Sequence, residues 1–264
     1  MQIDLSGKRA VVSGSTQGIG FAIAKGLAES GAHVIVNGRT DAAVRNAKER
    51  LLAALPNAKV DGVAADLSKA EGVAAFLRAI PDTDILVNNL GIFEPKSFEE
   101  ISDADWFKFF ETNVLSGIRL SRAYVPKMRE RDWGRVVFIS SESGLNIPRE
   151  MVHYGMTKTA QLAVSRGLAA SLTGTGVTVN AVLPGPTRSE GVADFFGKMA
   201  KEAGVAQDEM ETRFIAEHRP SSILRRLAAP EEIANMVVYV CSPQASATTG
   251  AALRVDGGVV STIG

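Results

Sequence analysis

The sequence is poor in the residues that build metal centres and disulfide frameworks. It contains one cysteine, Cys241, and three histidines among 264 residues. A single cysteine excludes an internal disulfide and any multi-cysteine metal site, and it fits a reducing compartment. The histidines, His33, His153 and His218, are scattered, and neither an H-E-x-x-H motif nor a carboxylate cluster accompanies them. We therefore expect no metal, and we expect Cys241 to be a core side chain.

Net charge and long apolar runs are absent as well. Lys plus Arg and Asp plus Glu each number 29, so the net charge is zero. Without a basic stripe, we expect no binding to nucleic acid or to an anionic membrane. The stretch MQIDLSGKRA lacks the apolar region of a signal peptide, and no uncharged apolar run of about 18 residues occurs elsewhere. These absences favour a cytoplasmic protein that binds a small molecule.

The sequence does contain a regular alternation of short apolar runs with helical segments. Its length and its hydrophobic content of 45% are sufficient for one large domain. The apolar runs are rich in β-branched residues and bounded by turn residues, which is typical of strands buried on both faces. They lie at residues 9–14, 33–38, 60–66, 84–89, 135–140, 177–185 and 252–258. The alternation predicts a single α/β domain with a doubly wound, mainly parallel sheet and a ligand site beyond the carboxyl ends of its strands.

Residues 186–222 interrupt this alternation because they contain no strand pattern. Apolar residues recur there at helical spacing, at Val192, Phe195, Phe196 and Met199. A long insertion beside the ligand edge of an α/β sheet is often a lid, so we interpret the segment as a substrate lid within the domain. A packed helix with no role in ligand binding is the alternative.

The first predicted strand runs into a glycine-rich turn, GSTQGIG, at residues 14–20. Its three glycines are Gly14, Gly18 and Gly20, and a helical pattern follows them. Such a turn lets the backbone approach a pyrophosphate, which the N-terminus of the helix then holds. Because the turn occupies the first strand-to-helix junction, we predict that it binds a dinucleotide.

Four polar residues form a second candidate group. Tyr154 and Lys158 stand four residues apart in HYGMTKT, which puts them on one face of a helix. A free tyrosine has a pKa of about 10, and a nearby ammonium would lower that pKa toward neutrality. Ser141 follows the strand RVVFIS and is expected to polarise a carbonyl beside the phenol. Asn113 needs a partner if it is buried, and it is a candidate for holding a water, although each of these residues alone also has a structural explanation.

Together the motifs resemble those of the short-chain dehydrogenase/reductase family, over essentially the whole chain. The TGxxxGxG motif of that family is present as SGSTQGIG, and its NNAG motif as NNLG with Leu90 in place of alanine. Its PG-x-x-T element is similar to PGPT at residues 184–187, and the later runs RRLAAPEEIA and VDGG are similar too. Its catalytic set matches Asn113, Ser141, Tyr154 and Lys158.

The resemblance implies a Rossmann-fold oxidoreductase that moves a hydride between a nicotinamide cofactor and a small-molecule carbonyl or secondary alcohol. Tyr154 would be the acid/base and Ser141 the substrate anchor. Lys158 would bind the ribose and modulate the tyrosine pKa, while Asn113 would hold a relay water. Asp66 and Leu67 would lie at the adenine. The other residues implied to contact the cofactor are Gly14, Ser15, Gln17, Gly18, Ile19, Gly20, Asn89, Gly91, Pro184 and Thr187. The family also implies a homotetramer or homodimer.

Cofactor choice depends on Asn37, Gly38 and Arg39 at the end of the second predicted strand. In dinucleotide folds a carboxylate there binds the ribose hydroxyl of NAD, whereas an arginine accommodates the 2′-phosphate of NADP. Since none of the three is acidic, Arg39 predicts a preference for NADP(H), with NAD(H) still possible. Gln17, where some NADP-using relatives carry a second basic residue, does not strengthen that preference. Reduction is the expected direction in the cell.

Two other functions remain open. A 3-oxoacyl-[acyl-carrier-protein] reductase-like enzyme is one, although segment 186–222 is longer than in those enzymes. A non-catalytic dinucleotide-sensing protein is the other, although such a protein has no need of Tyr154 and Lys158. Near the site, Glu142 is expected to be an exposed loop carboxylate, and His153 to be packed or solvated rather than a second base.

Overall fold

One parallel sheet organises the molecule. The computed structural model describes residues 2–263, without the side chains of residues 194, 195, 198 and 202. Within this range the sheet has seven strands in the order β3-β2-β1-β4-β5-β6-β7, and every neighbouring pair is parallel. The strands are β1 (Arg9–Val12), β2 (His33–Gly38), β3 (Val60–Ala64), β4 (Ile85–Asn88), β5 (Gly134–Ile139), β6 (Val177–Pro184) and β7 (Ala252–Val255). All seven predicted strands are confirmed.

Helices cover both faces of the sheet, as a doubly wound fold requires. In the described part of the chain there are nine α-helices: α1 (Gly18–Glu29), α2 (Asp41–Ala54), α3 (Ala70–Ala79), α4 (Asp103–Phe110), α5 (Ser116–Glu130), α6 (Val152–Ser171), α7 (Glu190–Ala203), α8 (Gln207–His218) and α9 (Pro230–Cys241). A π-helical turn, Glu111–Leu115, joins α4 to α5. None of these nine helices is long and apolar enough to cross a bilayer. The predicted α/β class is confirmed.

Successive strand residues pack against different helix layers. Val12 of β1 belongs to an apolar cluster with Leu27 of α1 and Ile233 of α9, whereas Val11 belongs to a second cluster with Tyr124 of α5. Side chains alternate between the two faces of a strand, so a strand covered on both sides needs an uninterrupted apolar run. Cys241 is fully buried in the first cluster, which confirms that it is a core side chain.

The winding direction of the sheet reverses between β1 and β4. The chain runs outward from β1 through β2 to β3, and then returns to place β4 on the other side of β1. A crevice opens at the carboxyl ends of the strands where the order reverses, and ligands of open α/β sheets bind there. The segments that follow β1, β4, β5 and β6 meet at this edge.

The predicted insertion at residues 186–222 is a pair of helices. α7 and α8 form a small apolar cluster of their own, in which Phe196 and Ala200 contact Met210 and Ile215, with Val192 and Met199 packed against it. The described residues of the segment contain no strand, as the sequence indicated. The side chain of Phe195, predicted on the same face, lies outside the described residues. The role of the segment as a lid stays a prediction.

Candidate active site

The glycine-rich turn has the backbone conformation that its sequence predicts. Gly14 and Gly18 have φ angles of +62° and +58°, in the left-handed region that favours glycine. Gly20 fulfils a packing requirement, because a Cβ atom there would lie 2.4 Å from the Gly14 carbonyl oxygen. The three glycines therefore allow β1, the turn and α1 to approach one another closely.

An anionic oxygen already lies at the N-terminus of α1. The amide of Gly18 donates a hydrogen bond of 2.5 Å to Oε2 of Glu190, the first residue of α7. The other oxygen of Glu190 lies 3.4 Å from Nη2 of Arg50 on α2. Free amides and the helix dipole favour negative charge at this position, so the turn has the geometry that a pyrophosphate requires.

Residues after β1 and β4 hold the turn in place. Oγ of Ser13 accepts hydrogen bonds from the amides of Asn89 (2.9 Å) and Leu90 (3.0 Å). The amide group of Asn89 donates to the carbonyl oxygens of Ser13 and Gly14. The Asn89 side chain is thus committed to the fold, which leaves its backbone to face a ligand. Leu90 packs against the second core cluster instead of filling the crevice.

Three further residues of the turn differ in what they can offer a ligand. Ser15 is fully buried, and its hydroxyl donates to the Val12 carbonyl and accepts from the Asn37 amide. Only the backbone of Ser15 can therefore contact a cofactor. Gln17 is exposed, and Ile19 lines the cavity described below.

The predicted adenine end of the site lies beyond β2 and β3. Asp66 accepts two hydrogen bonds from Ser68, and the Leu67 side chain is buried in the core, so Leu67 also has only its backbone available. Arg39 is exposed at the end of β2, and among residues 2–263 it has no ion-pair partner. A guanidinium placed in this way is free to bind a phosphate.

Ser141, Tyr154 and Lys158 converge at one end of a cavity. Ser141 and Tyr154 line this end of the cavity together, and Lys158 Nζ lies 5.5 Å from the centre of the tyrosine ring. The ammonium group donates to the Ile139 carbonyl oxygen at 2.9 Å, beside the end of β5. All three residues line the same cavity, as predicted for a serine after β5 and a pair one helical turn apart on α6.

Burial sets the pKa values of this group. Removal from water raises the pKa of Tyr154 to about 12, with the charge of Glu142 adding to the effect, while the hydrogen bond from Ser141 opposes it. Burial also lowers the pKa of Lys158 to about 7. Burial is the largest cause at both groups, and the expected lowering of the tyrosine pKa by Lys158 stays a prediction. Tyr154 is a protonated phenol at neutral pH and is suited to donate a proton.

Asn113 lies beside this group but its side chain is already engaged. It is buried in the π-helical turn, where Oδ1 accepts from the Ile92 amide at 2.8 Å and Nδ2 donates to the Ile92 carbonyl and to Thr157. Its backbone carbonyl accepts from Gln161. The described contacts of Asn113 therefore fix the loop after β4 against α6, and its water-holding role remains a prediction.

The cavity has a volume of about 450 Å³ and lies between the sheet edge and the helical insertion. Asn89, Gly91, Pro184 and Thr187 line it on the sheet side. The Thr187 hydroxyl donates to the Gly185 carbonyl oxygen, and Thr187 pairs with Ala228 in an isolated parallel bridge. Val192, Phe196, Met199 and Phe214 line it from the insertion. The catalytic candidates thus share one cavity with part of the cofactor candidates, namely Ile19, Asn89, Gly91, Pro184 and Thr187.

Comparison with known proteins agrees with this geometry. A family model described as enoyl-(acyl carrier protein) reductase matches residues 14–260. The uncharacterized oxidoreductase YvaG of Bacillus subtilis is 48% identical over 263 residues, which cover 100% of both chains. A solved short-chain dehydrogenase/reductase family protein is 34% identical, covers 99% of this chain and 100% of its own, and has a TM-score of 0.85. The chain is a short-chain dehydrogenase/reductase.

Another solved member of the family is bound to its ligands. L-sorbose reductase from Gluconobacter frateurii, complexed with NADPH and L-sorbose, superimposes with a TM-score of 0.94. The identity is 32%, and the match covers 100% of both chains. As a short-chain dehydrogenase/reductase, the present chain is an oxidoreductase, and the predicted family is confirmed.

Two residues of the dehydrogenase/reductase cavity were misjudged or missed from the sequence. Glu142 is not an exposed loop carboxylate, because it is 3% exposed and forms a buried ion pair with Arg219. Arg219 follows α8, 77 residues away in sequence, and nothing local marks it as a site residue. The wrong expectation for Glu142 arose because the turn after β5 is covered by the insertion, which the sequence pattern did not locate.

His153 packs among aromatic side chains. His153 is fully buried, with its ring centre 4.0 Å from that of Phe109 at a tilted angle and its ring edge-on to Trp106, so it is a packed side chain. Burial lowers its pKa.

Among the described residues, no three His, Cys, Asp or Glu side chains come together as metal ligands would. That no metal is used stays a prediction.

Proposed function

We propose that the protein is an NADP(H)-dependent reductase that transfers a hydride between the nicotinamide cofactor and a small-molecule ketone or secondary alcohol. The observation that carries the proposal is the convergence of Ser141, Tyr154 and Lys158 on a cavity that Ile19 of the glycine-rich turn also lines. The nicotinamide, when bound, supplies or accepts the hydride. The complex of L-sorbose reductase with NADPH and L-sorbose supports both the cofactor and a carbonyl substrate.

Ser141, Tyr154 and Lys158 would have different roles at the substrate carbonyl. Ser141 and Tyr154 lie within hydrogen-bonding reach of each other, so one carbonyl oxygen can accept from both hydroxyls. Tyr154 donates its proton as negative charge develops on that oxygen, because its raised pKa keeps it protonated beforehand. The Lys158 amine is fixed by its hydrogen bond to the Ile139 carbonyl. It lies beside Gly91, where a Cβ atom would be 3.4 Å from it, and can act there as a hydrogen-bond donor.

Replacement of the phenol tests the proposal. Tyr154→Phe removes one hydroxyl, and a general acid typically contributes about 10² to 10⁴-fold to turnover, so we expect kcat to fall by that factor. NADPH binding should be retained. The measurement is the loss of reduced-nicotinamide absorbance with a panel of ketones, together with calorimetric titration of NADPH.

Tyr124→Phe is the matched control for this experiment. The Tyr124 hydroxyl is also partly buried and donates to the Ile80 carbonyl at 2.7 Å, but it lies on α5 away from the cavity. Its loss should lower stability by about 1 kcal/mol and leave kcat unchanged. If Tyr154→Phe kept most of its turnover, the assignment of the acid would be wrong.

One alternative activity has an observation in its favour. Phe93, Met151, Phe196, Met199 and Phe214 give the cavity an apolar wall, which suits an acyl chain and therefore a 3-oxoacyl-[acyl-carrier-protein] reductase-like enzyme. A dinucleotide-sensing protein without activity is disfavoured, because it would not need a buried lysine beside a half-buried tyrosine. Turnover of a 3-oxoacyl thioester faster than of any small ketone would favour the acyl substrate.

We also infer a lid, a compartment and an assembly. Segment 186–222 would cover the substrate, which the position of Val192, Phe196 and Met199 on the cavity wall supports. A cytoplasmic location is supported by the single, buried cysteine. A homotetramer or homodimer is supported by Phe107, which is 74% exposed on α4. Light scattering of the purified protein measures the assembly directly.

A further inference from the structure

A buried ion pair forms part of the cavity wall next to the catalytic group. Glu142 directly follows Ser141, and Arg219 reaches it from the end of α8, with Nε of Arg219 donating to Oε1 of Glu142 at 2.8 Å. Their side chains are only 3% and 7% exposed. Burial of two charges costs much of what their attraction supplies, so a buried ion pair is weak evidence of a role in stability. Its position on a ligand cavity points to recognition instead.

The pair has unused hydrogen-bonding capacity. Oε1 of Glu142 accepts from Arg219 and from Ser143, whereas the buried Oε2 has no partner among the described residues. Arg219 uses Nε and Nη1, the latter with Glu150 at 3.4 Å and with the His218 carbonyl at 2.7 Å, and its Nη2 has no partner within residues 2–263. An unpartnered carboxylate oxygen is costly when buried, and a ligand hydroxyl would satisfy it.

The pair is also close to the reacting group. The charge of Glu142 raises the pKa of the Tyr154 phenol and that of Arg219 lowers it, after the larger effect of burial. Ser141 and Glu142 are adjacent in the chain. Ser141, Glu142, Tyr154 and Arg219 all line the same cavity, so a substrate whose carbonyl is held by Ser141 and Tyr154 can place the substituent on its neighbouring carbon at the pair.

Local charge decides which substituent fits. One guanidinium, that of Arg219, lies between the carboxylates of Glu142 and Glu150, and Asp256 is near enough to act on Glu142 as a further negative charge. A carboxylate or phosphate on the substrate would be repelled. A neutral hydroxyl group matches the two unpartnered groups, because it can donate to Oε2 of Glu142 and accept from Nη2 of Arg219 at the same time.

We propose that Glu142, oriented by Arg219, recognises a hydroxyl group on the carbon next to the reacting carbonyl, so that the substrates are neutral hydroxyketones and the corresponding vicinal diols. The inference rests on the proposed function, since it takes Ser141 and Tyr154 as the groups that hold the carbonyl. Glu142 is then a substrate-binding residue and Arg219 a positioning residue.

Two ketones of equal size test the proposal. Hydroxyacetone and 2-butanone have the same number of heavy atoms and differ by a hydroxyl in place of a methyl group. With NADPH we expect the wild type to prefer hydroxyacetone by about 100-fold or more in kcat/KM, because a site built for a hydroxyl strongly rejects its apolar counterpart. Acetoacetate, which adds a carboxylate, should be reduced as poorly as 2-butanone.

The variant Glu142→Gln assigns that preference to one residue. It replaces a charge-assisted hydrogen bond with a neutral one, so kcat/KM for hydroxyacetone should fall about 10-fold more than that for 2-butanone. Glu99→Gln, at an exposed turn, is the matched control and should change neither. If Glu142→Gln does not fold, the double variant Glu142→Gln/Arg219→Met replaces it, because removal of both partners is far less destabilising than removal of one.

A binding measurement separates this inference from the proposed function. Saturation-transfer NMR of both ketones with the NADP⁺-loaded protein reports recognition without hydride transfer, and hydroxyacetone should give the stronger transfer. Equal kcat/KM for the two ketones, or an equal loss for both in Glu142→Gln, overturns the inference and leaves the proposed function intact. If neither ketone nor the wider panel is turned over while NADPH binds, the proposed function is wrong, and the NMR comparison still decides whether Glu142 recognises the hydroxyl.

Discussion

At the scale of single residues, Arg39 offers a clean test of cofactor choice. Its neighbours are committed to the fold: the Asn37 amide donates to the carbonyls of Val63 and Ala65, and a Cβ atom at Gly38 would lie 2.5 Å from Thr16. An acidic residue introduced at Gly38 would therefore disturb the turn as well as the charge. Arg39 is exposed and can be changed alone.

We predict that Arg39→Ala weakens NADPH binding by about 10- to 100-fold and leaves NADH binding within about 2-fold. The reason is that only NADPH carries the 2′-phosphate, and a hydrogen bond to a charged group is worth about 1.5–3 kcal/mol. Calorimetric titration of both nucleotides measures the effect. Arg45→Ala, an exposed arginine on α2, is the control. Equal losses for the two nucleotides would remove Arg39 from phosphate recognition.

The sequence predicts which candidate site residues come together where their positions depend on local structure. Ser141 follows a strand, and Tyr154 and Lys158 share a helix face, so secondary structure alone brings them to one edge. It does not predict partners that depend on tertiary packing. The Glu142–Arg219 pair spans 77 residues, and the engagement of Asn113 with Ile92 depends on how the loop after β4 folds.

At the scale of elements, α7 is tied to the glycine turn through its first residue. Glu190 accepts from the Gly18 amide and also meets Arg50, so a carboxylate from the proposed lid lies where a phosphate would bind. We therefore expect cofactor binding and the position of α7 to be coupled. The sequence predicted the strands, because each is an unbroken apolar run, but it gave no sign of this contact across 172 residues.

We predict that Glu190→Gln tightens NADPH binding by about 3- to 10-fold, because a charge that competes with the phosphates for one amide is removed. Hydrogen exchange in α7 should be faster in this variant without cofactor, and it should slow in both proteins when cofactor and substrate bind. Glu209→Gln, an exposed residue on α8 paired with Arg213, is the control. Unchanged affinity would mean that Glu190 does not occupy the phosphate position. If the rate of hydrogen exchange in residues 186–222 is the same with and without cofactor and substrate, the segment is a static insert.

At the scale of the whole molecule, the buried titrating groups determine how stability varies with pH. Lys158 has a pKa lowered from 10.5 to about 7, so the unfolded chain binds more protons than the folded one between these values, and stability rises with pH there. Burial raises the pKa of Cys241 from 9.0 to about 12 and that of Tyr154 from 10.0 to about 12, so their contributions are lost as the pH rises above 9. Between pH 7 and 9 the rise in stability that Lys158 causes is not opposed by Cys241 or Tyr154.

We predict that the urea midpoint of unfolding rises from about pH 7 to about pH 9 in the wild type, and that Lys158→Met largely abolishes the rise. Urea titrations at fixed protein concentration measure it. Lys25→Met, which removes a surface ion pair with Glu29 at 3.2 Å, should keep the rise. A wild type with a flat profile in this range would contradict a deeply buried, readily neutralised Lys158.

The separate apolar cluster of α7 and α8 has a consequence for how this molecule can diversify. Phe196, Met210 and Ile215 pack mainly against one another, whereas the sheet interior is built from the two larger clusters. Side chains in the insertion can therefore be repacked, or the whole pair of helices exchanged between relatives as a cassette, without disturbing β5 and α6, which position Ser141, Tyr154 and Lys158. Selection for a new substrate can act on one replaceable part while the hydride-transfer machinery is inherited unchanged.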